Sequence, residues 1–270
     1  PRMALTAIES AAIEHARAAP MLAQVERWVA VNSGTRNLPG LATMADMLAS
    51  AFAALPGDPT LVDPAPVETV DTRGEVLPLA HGRHRHLRVR PEAPVQMLFT
   101  GHMDTVFAAD HHFQAATWLP DGRLNAPGAA DMKGGIAASI LAFALLARHR
   151  GAWRGEAVLT LAGDEESMGT LGTKWLLDHV PGLARAGAVI IGDAGSPRVL
   201  RFGEKGFLWI AVEAAGTAAH GAHVHLGENA LDRLRAALDA VVRLRDLPVA
   251  APPSVTAAIA AAKPMSEPLA

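Results

Sequence analysis

The stretch VQMLFTGHMDT, residues 95–105, decides how this sequence is read. Val95 to Thr100 is a short apolar run, suited to a central strand buried on both faces. The chain then turns polar at Gly101, His102 and Asp104. His102 and Asp104 are two residues apart, so on an extended backbone they face the same side. The same construction recurs downstream. AVLTLA (157–162) runs into GDEES (163–167), and AVII (188–191) runs into GDAGSP (192–197). Between these runs, Ile136 to Leu146 reads as a strongly apolar helix, and Met168 to His179 as a second helix closed by Pro181-Gly182. Strands alternating with helices predict an α/β fold with a mostly parallel sheet and helices on both faces. In such sheets ligands gather beyond the carboxyl ends of the strands, where the acidic and histidine motifs stand.

Upstream, Ile8, Ala12, His15 and Ala16 share one helical face, and Leu22, Val25, Trp28 and Val29 make a second stripe, broken at Asn32-Ser33-Gly34. Ala42 to Leu55 reads as a third helix, stopped by Pro56-Gly57. Pro59 to Pro78 reads as short strand pieces and turns. At 84–90, His84, His86, Arg88 and Arg90 alternate with Arg85, Leu87 and Val89. That is an edge-strand pattern with a solvated polar face, and it lacks the interleaved aromatics of a nucleic-acid surface. Downstream, Ser196-Pro197 marks a domain boundary. Phe207 to Glu213 reads as a strand. Asn229 to Arg245 reads as an amphipathic helix with Leu231, Leu234, Leu238, Val241 and Leu244 on one face. Residues 248–270 are rich in Pro and Ala and carry no closing element.

Composition narrows the chemistry. In 270 residues, 50% are hydrophobic and 19% charged, the balance of a globular chain. The net charge of −3 offers no footprint for nucleic acid or an anionic membrane. The absence of Cys excludes disulfides, thiolate metal sites and a Cys nucleophile, and the absence of Tyr excludes phenolic acid–base chemistry. Any metal must sit on His, Asp and Glu. No apolar run reaches the roughly eighteen residues of a membrane span. Residues 1–19 carry Arg2, Glu9, Glu14, His15 and Arg17, an amphipathic pattern rather than a signal peptide. Met3 reads as a natural start, and a cytoplasmic location is expected.

Each motif has a bland reading beside the chemical one. His102-x-Asp104 also reads as a polar strand end. Asp131, in NAPGAADMKGG (125–135), also reads as an N-cap of the apolar helix. Asp164, Glu165 and Glu166 also read as a solvated acidic turn, although carboxylates this close raise one another's pKa unless a cation intervenes. Gly128, Gly134 and Gly135 suggest tight backbone geometry near a site. Neither a dinucleotide fingerprint nor a P-loop is present. One His and several carboxylates along one sheet edge make a site for a divalent ion, Zn²⁺, Co²⁺ or Mn²⁺.

GHMDT, GAADMKGG, GDEES and GDAGSP, in this order and spacing, resemble the di-zinc peptidase and deacylase family that includes succinyl-diaminopimelate desuccinylase, acetylornithine deacetylase, glutamate carboxypeptidase and aminoacylase. PDGRLNAPG (120–128) is similar to the segment leading to that family's Asp, and GTAAHGAHVHLGENA (216–230) to the start of its inserted dimerisation lid. The resemblance implies a metal-binding catalytic domain over 1–197 and a partial lid over 198–270. It implies two Zn²⁺, with Co²⁺ or Mn²⁺ as substitutes. His102 and Asp193 would bind one ion, Asp131 would bridge both, and Glu166 would bind the second. Glu165 would be the general base, and Asp104 would orient His102. His220 would reach a partner's active site across a homodimer and hold the oxyanion, while His223 and His225 are read as surface residues. A cis peptide is expected after Asp131. Relatives continue further and supply a second His to the second ion. No His follows His225 here, and a lid Arg that binds the substrate carboxylate has no clear counterpart.

The reading is therefore a metal-dependent hydrolase of an amide bond in an N-acyl amino acid or short peptide, with no nucleic-acid or membrane partner. One rival is a truncated, non-catalytic relative acting only in binding or dimerisation. Another is a single-metal, aminopeptidase-like hydrolase using His102, Asp131 and Asp193 alone.

Overall fold

The computed structural model describes residues 5–53, 55–71, 73–90, 93, 96–148, 156–167, 172–180, 182–195, 201, 210–248 and 250–266. In chain order the elements begin with α1 (Ala7–Ala18), α2 (Met21–Val29), α3 (Leu38–Phe52), β1 (Thr60–Val62), β2 (Val67–Val70), β3 (Val76–Leu79), β4 (His84–Val89) and β5 (Gln96–His102). They continue with β6 (Thr117–Trp118), β7 (Leu124–Asn125), α4 (Gly134–Arg148), β8 (Glu156–Ala162), α5 (Gly172–His179), β9 (Ala188–Ile191), α6 (Ala230–Val242) and α7 (Pro253–Ser266). The chain divides into two compact units, 1–200 and 201–270.

Local chemistry sets the helix ends in the first unit. Thr6 and Glu9 form a reciprocal capping box on α1, in which the Glu9 N–H donates to Thr6 Oγ1 and the Thr6 N–H to the Glu9 carboxylate. Asn37 caps α3 by accepting from the Gly40 N–H at 3.2 Å, and Pro39 sits in the first turn. This cap starts α3 four residues before the expected Ala42, and the helix ends at Phe52 rather than Leu55. Leu41, Met44, Ala45, Leu48 and Phe52 form its buried stripe.

The first unit is organised by a five-stranded sheet in the order β1-β4-β8-β5-β9. β5 pairs in parallel with β8 on one side and β9 on the other, so the apolar run at its heart is the central strand of a parallel trio. β4 and β1 extend the sheet antiparallel, which makes it mixed. Alternation along β5 explains the layers. Phe99 packs with Leu87, Leu161, Ile136 and Phe143 in the core that α2, α3 and α4 cover. Its neighbour Leu98 packs on the other face with Leu176 of α5 and with Val180 and Leu183. Each large side chain buried this way stabilises the fold by about 1.5–3 kcal/mol. Two short antiparallel hairpins, β2–β3 and β6–β7, stand apart from this sheet.

Several expectations need correction. β4 is an inner strand flanked by β1 and β8, not a solvated edge. His84 is 0% and His86 7% exposed. The alternation of polar and apolar residues marks two buried faces there, and β1 closes the strand's outer edge. β9 is expected to be buried, but among the described residues it pairs only with β5, and Val189, Ile190 and Ile191 are exposed. The strand expected over Phe207–Glu213 lies partly outside the described residues, and 210–213 show no strand pairing. Part of the helix expected from Met168 also lies outside them, and α5 is described from Gly172.

In the second unit, Thr217 and Glu228 pair through two backbone hydrogen bonds and bracket a 3₁₀ turn at 221–226. Asn229 caps α6 by accepting from the Leu231 N–H. Leu231, Leu238 and Leu244 of its expected apolar face are exposed. α7 occupies Pro253–Ser266, where no closing element was expected. Its Ala-rich run has high helix propensity, and Pro253 stands at its first position. No helix among the described residues is long and apolar enough to cross a membrane.

Candidate metal centre

The parallel register brings the motifs to one level. His102 is the partner of Ala162, so the segments after β5 and β8 leave the sheet side by side, and Asp193 follows β9 at the same edge. Asp131 reaches that edge from a tight turn at 129–133 before α4. Gly128 opens the turn at φ +69°, where a β-carbon would also press on Thr105 Cγ2 at 2.7 Å. The Asp131–Met132 peptide is cis. Asp131 is not an N-cap, because α4 begins at Gly134. Gly135, in the first turn of α4, packs on Gly192, the residue before Asp193.

Among the described residues, His102, Asp131 and Asp193 form the one group of three metal-type ligands, with donor atoms within 4.8 Å of one another. His102 Nε2 is 2.9 Å from Asp131 Oδ1 and 3.9 Å from Asp193 Oδ1. The other ring nitrogen, Nδ1, is 3.1 Å from the Asp104 carbonyl and 3.4 Å from its carboxylate. Nδ1 is thus occupied by Asp104, and Nε2 faces the carboxylates, as metal-ligating imidazoles are held. The Glu165 carboxylate lies 3.8 Å from Nε2.

Asp104 is 1% exposed and holds more than the imidazole. Its Oδ1 accepts from the Glu165 N–H, and its Oδ2 from the Glu166 N–H, each at 3.1 Å. Thr35 Oγ1 also donates to Oδ2, at 2.7 Å. Glu166 is brought to the site edge but is not part of the three-ligand group. His220 lies in the second unit, exposed, with its Nδ1 accepting from the Ala222 N–H at 3.1 Å.

The electrostatics fit a cation. Burial opposes a charged His102 ring, but the neighbouring carboxylates of Asp104, Asp193 and Glu165 prevail, pushing its pKa up to about 11. Burial and the charge of Asp131 push Glu166 up to about 7. Burial also raises Glu165, against the pull of His102. The cradle stabilises positive charge at Nε2, and a divalent ion on one imidazole and two carboxylates supplies it with the N/O donors that zinc, cobalt and manganese accept.

Sequence reasoning missed four contributors. Lys133 is 1% exposed, and its Nζ donates to the carbonyls of Trp28 (3.1 Å), within α2, and Val31 (2.9 Å), just beyond it. Burial pushes it down to about 8. A Lys two residues after Asp131, in the short segment AADMKGG, was the available signal. His81 and His84 flank Asp164, at 3.6 and 4.0 Å, and His84 Nδ1 accepts from the Gly163 N–H. Asp164 is 3% exposed, and burial pushes it up to about 6. These rings support the acidic turn from beneath. Thr35 gave no signal beyond its place next to the Asn32-Ser33-Gly34 break.

The family described as Peptidase family M20/M25/M40 matches residues 98–266. The succinyl-diaminopimelate desuccinylase of Rhodospirillum centenum is 38% identical over 153 residues, which cover 52% of this chain and 39% of that one. That of Granulibacter bethesdensis is 32% identical over 169 residues, covering 58% and 42%. The chain thus spans well under half the length of these relatives. Among solved structures, human carnosine dipeptidase 1 shares the fold with a TM-score of 0.53 at 21% identity, covering 80% of this chain and 44% of its own. An M20 family metallo-carboxypeptidase from Sulfolobus solfataricus gives 0.50 at 18% identity, covering 66% and 38%.

Proposed function

The chain belongs to peptidase family M20/M25/M40, and from that premise we propose that it is the metal-binding portion of a hydrolase that cleaves an amide bond in an N-acylated amino acid or short peptide. The observation that carries this reading is the three-ligand cradle of His102, Asp131 and Asp193 with the Glu165 carboxylate 3.8 Å from His102 Nε2. The desuccinylase name of the relatives favours an N-acyl amino acid bearing a carboxylate.

In this proposal His102, Asp131 and Asp193 hold one zinc ion, and Asp131 and Glu166 contribute to a second. When bound, such ions polarise a scissile carbonyl and acidify water. The chain's own residues do the rest. Asp104 fixes the His102 ring so that Nε2 stays turned toward the carboxylates. Glu165 is raised by burial, which makes its carboxylate a better proton acceptor. It takes the proton of the attacking water and returns it to the leaving amine. His220 donates to the oxyanion from a partner chain in a homodimer, and the enzyme works in the cytoplasm.

The experiment is release of free amino acid from N-succinyl and N-acetyl amino acids and from dipeptides, with and without chelator. Zinc-restored release after chelation is expected, while no release from any of these with zinc present rejects the reading. Elemental analysis decides between one ion and two per chain. Sedimentation tests the dimer, and cell fractionation tests the location.

A further inference from the structure

We propose that Thr35 is a positioning residue of the metal centre, whose hydroxyl acts through Asp104 to fix both the His102 ring and the Glu165–Glu166 turn. The inference rests on the metal-centre reading above.

The two oxygens of Asp104 are shared among groups from three parts of the chain. Oδ1 accepts from the Glu165 N–H and stands 3.4 Å from His102 Nδ1. Oδ2 accepts from the Glu166 N–H and from Thr35 Oγ1. The angle of this carboxylate therefore sets the imidazole plane and the height of the acidic turn together. The two N–H donors belong to a single short turn at 165–167, which can move as a body with the carboxylate it grips. His102 and Asp104 lie on one continuous segment. Thr35 is the donor that comes from elsewhere, from the connection between α2 and α3.

That connection is itself fixed. The Thr35 N–H donates to the Thr105 carbonyl at 3.1 Å, and the Thr105 N–H donates to the Ser33 carbonyl at 3.0 Å. A β-carbon on Gly34 would stand 2.2 Å from the Phe107 carbonyl oxygen, so the two segments lie in close contact. Thr35 is 8% exposed, with its hydroxyl aimed at Oδ2 and the Thr105 carbonyl, 3.4 Å away, as its other acceptor. The hydroxyl is an external reference point for a carboxylate whose other partners all belong to the site.

The test is calorimetric zinc titration of the metal-free 270-residue chain carrying Thr35→Val, Thr35→Ser or Thr35→Ala. Val keeps the shape and removes the donor. Loss of an outer-shell partner of this kind weakens metal affinity about 10- to 100-fold, so Thr35→Val is expected at the lower end of that range, with Thr35→Ser within about threefold of the parent. Should Thr35→Val not fold, the Ser and Ala variants differ only in the hydroxyl, and Ala is expected to bind more weakly than Ser. Cobalt-loaded parent and Ser protein should share one visible spectrum, with a shifted one in Val or Ala. Unchanged zinc affinity in the hydroxyl-free variants overturns the role, and so does equal weakening in Ser and Val, because Ser keeps the hydroxyl and the effect then follows from the packing of the site rather than from the donor. A parent chain that binds no zinc overturns the metal-centre reading itself, and this inference with it.

Discussion

Gly135 lies so close to Gly192 that a β-carbon on Gly135 would stand 1.7 Å from the Gly192 carbonyl oxygen. The two glycines are not turn formers here. They let the first turn of α4 touch the end of β9, and so bring Asp131 to Asp193. Gly135→Ala must push these segments apart. The expected cost is about 1–3 kcal/mol of stability, by analogy with overpacked cores. Because the displaced segments carry two of the three ligands, zinc affinity should fall as well. Urea denaturation and zinc titration of the variant check both, and a variant with parental values in each would show that the contact relaxes without moving the ligands.

Glu165 and the three cradle residues should separate in their effects. Glu165 is placed as the proton carrier and not as a ligand, so Glu165→Ala is expected to keep its zinc while kcat falls by about 10²- to 10⁴-fold. Elemental analysis alongside steady-state kinetics decides. Full activity in this variant sinks the role.

Lys133 is expected to act on stability rather than on turnover directly. Lys133→Met keeps most of the volume but leaves the Trp28 and Val31 carbonyls without its ammonium. An unsatisfied buried polar group costs about 1–3 kcal/mol, and the loss should appear as a lower midpoint in urea.

His86 gives a pH dependence with a definite sign. Burial, helped by the Arg88 charge, pushes its pKa from 6.5 down to about 4. Between those values the unfolded chain binds a proton that the folded chain does not. The folded state therefore keeps this contribution above pH 6.5 and loses it as pH falls toward 4. A depressed pKa of this kind is worth on the order of 1 kcal/mol per pH unit. His86→Gln cannot titrate in that window. The unfolding free energy of the parent minus that of His86→Gln should decrease steadily from pH 6.5 to 4, and a flat difference would show that the ring titrates alike in the folded and unfolded states.

How far the fold and site could be read in advance depended on the distance between cause and effect along the chain. β5, β8 and β9, with the polar residues just beyond them, were legible because strand and motif are contiguous, and parallel pairing then sets His102, Glu165 and Asp193 at one edge. β4 was misread because its alternation of His and Arg with Leu and Val has the period of an edge strand, and only the pairing of β1 outside it shows that it is covered. α7 was missed because Pro and Ala also make linkers. Thr35 was illegible for a different reason. Its partner Asp104 lies 69 residues away, and no local pattern announces such a contact.

Among the described residues β9 is held on the sheet by one neighbour, β5, and the chain has no cysteine with which to staple it. An ion gripping Asp193 together with His102 and Asp131 would be a second attachment for that strand, a clip closing a long loop. Its contribution scales with the free ion concentration, because the ion binds the closed form and not the open one. Opening of β9 should then become rarer as zinc is added, while the inner strand β4, which carries none of the ligands, remains indifferent. Hydrogen exchange at the β9 amides would thus work as an occupancy gauge for the site, legible without any substrate.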